Sequence, residues 1–340
     1  MKRIILFLLL SAFFASSVYA VDSEEGILNA CFDAVNKALR TKISTAAGAG
    51  ITMGDDAWIG ESATATRILF DSSGSIIDID PDANSETRIA TASLQDNWSY
   101  QMAGDILDIL TDCRLMLVWT GTFAAASTES DLSSKDNTAT FADTTTANQI
   151  NKGLVWAGAW GTGPGYATVV DAADLSFIEP VAFSVGAWIQ AHTSASNKMI
   201  FVKGANTAYN NEYLFLQDSN EMLSLQIFDQ SVSKLAYRIS NAALSDGWRF
   251  VVATYDGGGG ATAANGITFY VDGVLVASTA TNDASYVAME DLALNLGVYA
   301  ENDGGNRFSN NAAMCFIEAS ELSAANIWKL YIKTRGYYNL

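Results

Sequence analysis

The sequence predicts an all-β body, a two-sheet antiparallel sandwich, behind a short helical and β-rich N-terminal extension. Three observations carry that prediction. Short apolar or alternating runs follow one another from Arg114 to about Glu318, at the spacing of sandwich strands. Gly, Ser, Thr, Asn and Asp are plentiful and only three prolines occur, a turn-rich, helix-poor composition. The stretch "ITFYVDGVLVAS", Ile267 to Ser278, reads as two strands joined by Asp272-Gly273.

The chain opens on "MKRIILFLLLSAFFASSVYA". Two basic residues precede an apolar core, and Val18 and Ala20 are small enough for cleavage after Ala20. Residues 1–20 are therefore read as a secretory signal peptide, and the mature protein as secreted. The apolar run is short for a full membrane span. Residues 21–50 follow as an amphipathic helix and a linker. In "ILNACFDAVNKALR", Ile27 to Arg40, Leu28, Cys31, Phe32, Val35 and Leu39 fall at helical spacing. So short a helix is marginal alone, so its apolar face needs a partner, such as self-association. "STAAGAG" is a flexible linker.

Residues 51–110 read as a small β-rich unit. "RILFD" and "SIIDID" are its strands, around a Ser72–Gly74 turn, and Gln101 to Leu110 is helical. Asp78, Asp80 and Asp82 alternate as in a calcium loop. The glycine and closing glutamate of such a loop are missing, so a solvated turn is the reading.

Residues 111–340 form the main domain. Its strands are "LMLVWTG", "KGLVWAG", "YATVV", "FSVGAWIQA", "KMIFVKG", "EYLFLQD", "MLSLQIFD", "WRFVVATYD", the hairpin, "ALNLGVYA" and "MCFIEA". A helix over Ser320 to Gly336 closes it. In the hairpin, Val271 faces Val274, Phe269 faces Val276 and Ile267 faces Ser278, which puts the large apolar residues on one face. That face is expected to meet strands such as Phe183 to Ile189.

Composition also bounds the partners. The formal charge is −18, and removing Lys2 and Arg3 with the leader leaves 17 basic against 37 acidic side chains and a charge of −20. Such a surface repels phosphate backbones, so nucleic acid is excluded as a partner. Three cysteines, Cys31, Cys113 and Cys315, make no disulfide framework, and no Cys/His spacing suggests zinc. The single histidine, His192, is read as structural.

"DGWRFVVATYDGG…GITFYVDGVLVAS", Asp246 to Ser278, resembles the most recognisable stretch of the concanavalin A-like jelly rolls in their laminin-G-like branch. "FSVGAWIQA", "MIFVKG", "EYLFLQDSNEMLSLQI" and "ELSAANIWKLY" follow the same family order. The resemblance covers about Arg114 to Arg335 and implies a jelly-roll sandwich. It implies no one activity, because the fold hosts lectins, adhesion modules, glycanases and structural domains. The family's last strand often carries acids of a calcium site, where this chain has Ala313 and Met314. Asp131, with Asp136 and Asn137, matches an early acidic loop of the family. Asp303 lies in a second polar loop, "ENDGGNRFSNN". These four are the candidate calcium ligands, weighed against Asx-type turns without metal. The family's first and last strands are neighbours, which would bring Cys113 and Cys315 together. A disulfide between them, or two free thiols, both stand open.

Catalysis is not expected. Glycanases of this fold use paired carboxylates on one strand, and no such spacing occurs; Glu290 and Asp291 are adjacent and point to opposite faces. "DGGGGATAANG" lacks the Lys and the helix of a phosphate loop. Sugar binding needs aromatic faces with amide and carboxylate groups beside them. The candidates are Trp160 and Tyr166, Tyr209 with Asn210, and Tyr299 with Asn302. The expected function is non-catalytic recognition of a glycan or a cell surface. An alternative comes from the N-terminal helix, whose Leu-Asn-x-x-Phe-Asp and following Leu-Arg resemble a segment near the start of phage and prophage virion or tail-associated proteins. That resemblance implies a virion-associated role, with Ile27–Arg40 as the self-association or virion contact.

Overall fold

The computed structural model describes residues 57–60, 67–71, 76–80, 87–90, 100–119, 127–142, 149–152, 155–159, 166–205, 209–308, 310–338 and 340. The leader, the Ile27–Arg40 helix and Trp160 lie outside the described residues. The chain divides into two compact units, Met1–Ala90 and Thr91–Leu340. In the first, Ala57–Gly60, Arg67–Asp71, Ile76–Asp80 and Thr87–Ala90 form an antiparallel meander in chain order.

The second unit is a two-sheet sandwich whose strand pairs are all antiparallel. One sheet of nine strands runs, edge to edge, Ser278–Thr281, Lys234–Ser240, Leu223–Asp229, Asn211–Gln217, Lys198–Gly204, Leu296–Val298, Ala167–Val169, Ala139–Phe141 and Thr128–Glu129. The other, of eight, runs Val274–Val276, Ile267–Val271, Gly247–Tyr255, Phe183–Ala191, Asn311–Glu318, Val155–Ala159 and Gln149–Lys152, with Cys113–Leu117 also paired to Asn311–Glu318. The inward rows of both sheets make one buried core, including Leu117, Val185, Phe201, Phe215, Leu225 and Phe269. Period-two alternation puts these residues on the facing sides.

The eight-stranded sheet is buried on its other face as well. Trp188, Phe250, Met314 and Phe316 lie there under two helices. One helix covers residues 100–107 and contributes Met102 and Ile106. The other, Ala324–Tyr337, contributes Ile327 and Leu330 and is capped by Ser323, whose side chain accepts from Asn326 N–H at 3.2 Å. Burial on both faces explains why Phe183–Ala191 is almost wholly buried and reads as a continuous apolar run.

Two expectations for the hairpin change. The Asp272-Gly273 turn has φ of 51° and 79°, and Val271 faces Val274 and Phe269 faces Val276 as the sequence implies. Ser278 does not face Ile267. The chain crosses sheets after Val276, and Ser278 pairs with Ser240 instead. The hairpin also shares a sheet with Phe183–Ala191, with Gly247–Tyr255 between them. The two therefore line the same core side by side rather than face to face.

Cys113 and Cys315 lie on paired strands, yet both are free and buried. Cys315 belongs to the core between the sheets, and Cys113 to the core under the helices. Opposite faces of one sheet cannot supply the Cβ approach a disulfide needs. Among the described residues, no helix is long and apolar enough to cross a membrane.

Candidate functional site

Five of the sequence-predicted residues, Tyr166, Tyr209, Asn210, Asn302 and Asp303, lie around one corner of the nine-stranded sheet. The segment Glu301–Phe308 turns sharply there. Glu301 N–H donates to Gly305 O at 3.0 Å, Gly304 N–H to Glu301 O at 2.8 Å, and Gly305 N–H to Asp303 Oδ1 at 2.9 Å. Gly304, at φ 81°, lies against the Tyr166 ring, where a Cβ would come within 2.7 Å. The Arg307 guanidinium stands 5.3 Å from the centroid of the same ring. Asn302 Nδ2 reaches back to donate to Gly204 O and to Asn295 O, and its Oδ1 is buried without a donor. Gly204 ends the strand that enters the Tyr209 turn, which Ala205 N–H closes on Asn210 O at 2.9 Å. Asn210 Oδ1 accepts from Gln230 Nε2 at 2.9 Å. Tyr209 sits at φ 62° and is 36% exposed. The Asn302 amide thus ties the Glu301–Phe308 turn, with Tyr166 against Gly304 and Asp303 exposed, to the end of the Lys198–Gly204 strand, beyond which lie Tyr209 and Asn210.

The other candidates lie elsewhere. Tyr299 has no exposed surface. Its hydroxyl donates to Ala313 O at 2.7 Å, and its ring packs with Trp119 and Phe308. Asp131 organises a separate loop. Its Oδ1 accepts from the N–H groups of Met116 and Ser133, both at 2.8 Å. Its Oδ2 accepts from Ser133 Oγ at 2.6 Å and Asn137 N–H at 2.8 Å. Both oxygens thus accept two donors each, which fold the loop around the carboxylate. Asn137 Nδ2 donates to Arg114 O and Asp174 Oδ1, and Asp136 is exposed at φ 61°. Ala313 and Met314 are buried in the helix-side core. Among the described residues, no three His, Cys, Asp or Glu side chains converge as metal ligands.

One buried polar cluster was missed by sequence reasoning. Lys203 has no exposed surface, and its ammonium donates to Asp171 and, at 2.5 Å, to Leu294 O. Leu292 O lies at 3.5 Å and Glu212 Oε1 at 3.4 Å. Leu292 N–H donates to Glu212 Oε1 at 3.1 Å. Burial pushes the Glu212 carboxyl up to about 7, against the opposing pull of Lys203 and the Leu292 N–H. The signal was a lone charge inside each of two apolar strand runs, "MIFVKG" and "NEYLFL". Such residues are informative because charged side chains are rarely buried unpaired.

Residues 162–327 match the family model of the concanavalin A-like lectin/glucanases superfamily, in its laminin G form. No curated protein sequence matches the chain. Among solved structures, the binding domain of Paraclostridial Mosquitocidal Protein 1 is similar at 11% identity and a TM-score of 0.48, over 66% of this chain and 52% of that one. The botulinum neurotoxin serotype G binding domain is similar at 14% identity and 0.46, over 66% and 51%. The serotype D binding domain follows at 15% and 0.44, over 68% and 53%. The chain thus spans about half the length of each. The antiparallel sandwich is a concanavalin A-like jelly roll, and residues 162–327 are similar to the laminin G form of the concanavalin A-like lectin/glucanases superfamily.

Proposed function

We propose that this protein is a secreted, non-catalytic recognition module that binds a glycan on a cell surface through the Tyr166/Tyr209/Asn302 corner. The observation that carries the reading is the pair of accessible tyrosines, Tyr166 and Tyr209, with Asn210 and the exposed Asp303, on segments that the Asn302 amide ties together. Aromatic faces suit the apolar side of a pyranose, while amides and carboxylates suit its hydroxyls. The Glu301–Phe308 turn is fixed by its own backbone bonds, so little order remains to be gained there on binding.

The test is a glycan-array screen of the mature chain, with calcium and with chelator. It is followed by titration of the best ligand against Tyr209→Asn, which keeps a residue tolerant of positive φ but removes the ring. Saturable binding weakened about tenfold in the variant, with an unchanged melting temperature, supports the corner. Binding unaffected by the substitution moves the site elsewhere. Release of reducing sugar replaces recognition by hydrolysis.

A further inference from the structure

Lys203 presents a physical problem. A fully buried ammonium is costly unless it is paired and hydrogen-bonded. Here it is met by four oxygens from three separate stretches of chain. Asp171 follows the strand Ala167–Val169, Glu212 belongs to Asn211–Gln217, and the Leu292 and Leu294 carbonyls come from the loop after Thr281. Two carboxylates and two main-chain carbonyls are hard oxygen donors, the ligand class a calcium ion takes. The Glu212 side chain is itself only 1% exposed, so its carboxylate is held inside the cage rather than turned to solvent.

The cluster holds the corner in place. Asp171 N–H donates to Asn295 Oδ1 at 3.1 Å, and Asn295 O accepts from Asn302. The loop bearing Leu292 and Leu294 is therefore tied both to the sheet beneath and to the Glu301–Phe308 turn.

We propose that the Lys203 ammonium serves as a tethered cation, fixing the Leu292–Asn295 segment to the nine-stranded sheet as a bound metal ion would, and that the oxygen cage it fills is a latent site for a hard divalent cation. Lys203 spares this segment any dependence on calcium. Removing the ammonium exposes the cage to calcium.

Three measurements test this without reference to any glycan. The melting temperature of the wild-type protein is compared in calcium and in chelator, and the two are expected to coincide. Lys203→Ala is expected to melt lower in chelator and to recover on addition of millimolar calcium. Calorimetric titration should show one more calcium site than in the wild type, and that site should disappear in Lys203→Ala/Glu212→Gln. A Lys203→Ala protein that gains no calcium site overturns the proposal. If Lys203→Ala does not fold in chelator, refolding in calcium decides: recovery only with the ion supports the cage, and failure with it does not. Asp171→Asn supplies an independent check. Its amide exchange should quicken over residues 290–296, and unchanged exchange there removes the tether.

Discussion

Gly186 has no room for a side chain. A Cβ there would come within 2.5 Å of the Phe316 ring and 3.0 Å of Val252 Cγ2, on the crowded helix-side face of the eight-stranded sheet. Both neighbours are themselves fully buried, so neither can swing into solvent. Gly186→Ala is expected to destabilise the fold by about 1–3 kcal/mol, read as a lower urea midpoint at constant slope. Asp131 illustrates the opposite case, a side chain fixed by what it accepts rather than by space. Four donors meet its carboxylate. Asp131→Asn puts a donor amide against N–H groups and should cost about 2 kcal/mol. Chelator should leave the wild-type melting temperature unchanged. A chelator-sensitive transition that disappears in Asp131→Asn would instead identify Asp131 as a calcium ligand.

At the scale of elements, the C-terminal helix shows how a short segment is held. Ile327, Leu330 and Thr334 repeat at helical spacing and are its buried residues. Thr334 Oγ1 accepts from Trp188 Nε1 at 2.8 Å and donates to Leu330 O at 2.7 Å. The Trp188 bond joins the helix to the central strand Phe183–Ala191. Trp188→Phe and Thr334→Val each break that bond, and together they remove both partners. The double variant should therefore be less destabilised than the sum of the singles, with a coupling of about 1 kcal/mol in a double-mutant cycle. This helix was legible because its apolar spacing and its Ser323 cap are both local signals. Lys234–Ser240 was not read as a strand, because Lys234, Tyr237 and Arg238 interrupt its apolar pattern near the sheet edge. The crossing of Ala277 from one sheet to the other leaves no mark either, since alternation simply continues through it. Tyr299 reads as a loop residue because Glu301, Asn302 and Asp303 follow. Only its bond to Ala313 O, fourteen positions away, shows that it belongs to the core. Turn chemistry and periodicity are local, whereas sheet exchange and the Lys203 cluster depend on contacts between distant stretches.

For the whole molecule, the governing fact is that the eight-stranded sheet is buried on both faces, between a partner sheet and two helices. Its two thiols report on those faces separately. Cys315 lies in the inter-sheet core with no exposed surface, and Cys113 under the helices with 7%. Burial raises both thiols well above the ordinary range. At Cys113 the nearby Glu318 and Asp131 charges add to it, and at Cys315 the Tyr299 hydroxyl opposes it in part. The thiolate is the reactive form, so neither thiol should react with iodoacetamide in the native state at neutral pH. Reaction then requires opening of the structure, and the two cores need not open together. Departure of the helix over residues 100–107 and of the turn after it, whose Leu107 and Leu110 line the cleft at Cys113, would uncover that thiol while the sandwich persists, whereas Cys315 becomes reachable only when the sheets part. Pulse labelling across a urea series, with each cysteine resolved by peptide mass so that Cys31 is scored apart, should show Cys113 modified at or before the main transition. Cys315 should be modified only within it. Labelling of Cys315 ahead of Cys113 would mean that the sheets separate before the helices leave, reversing the order that the layering implies.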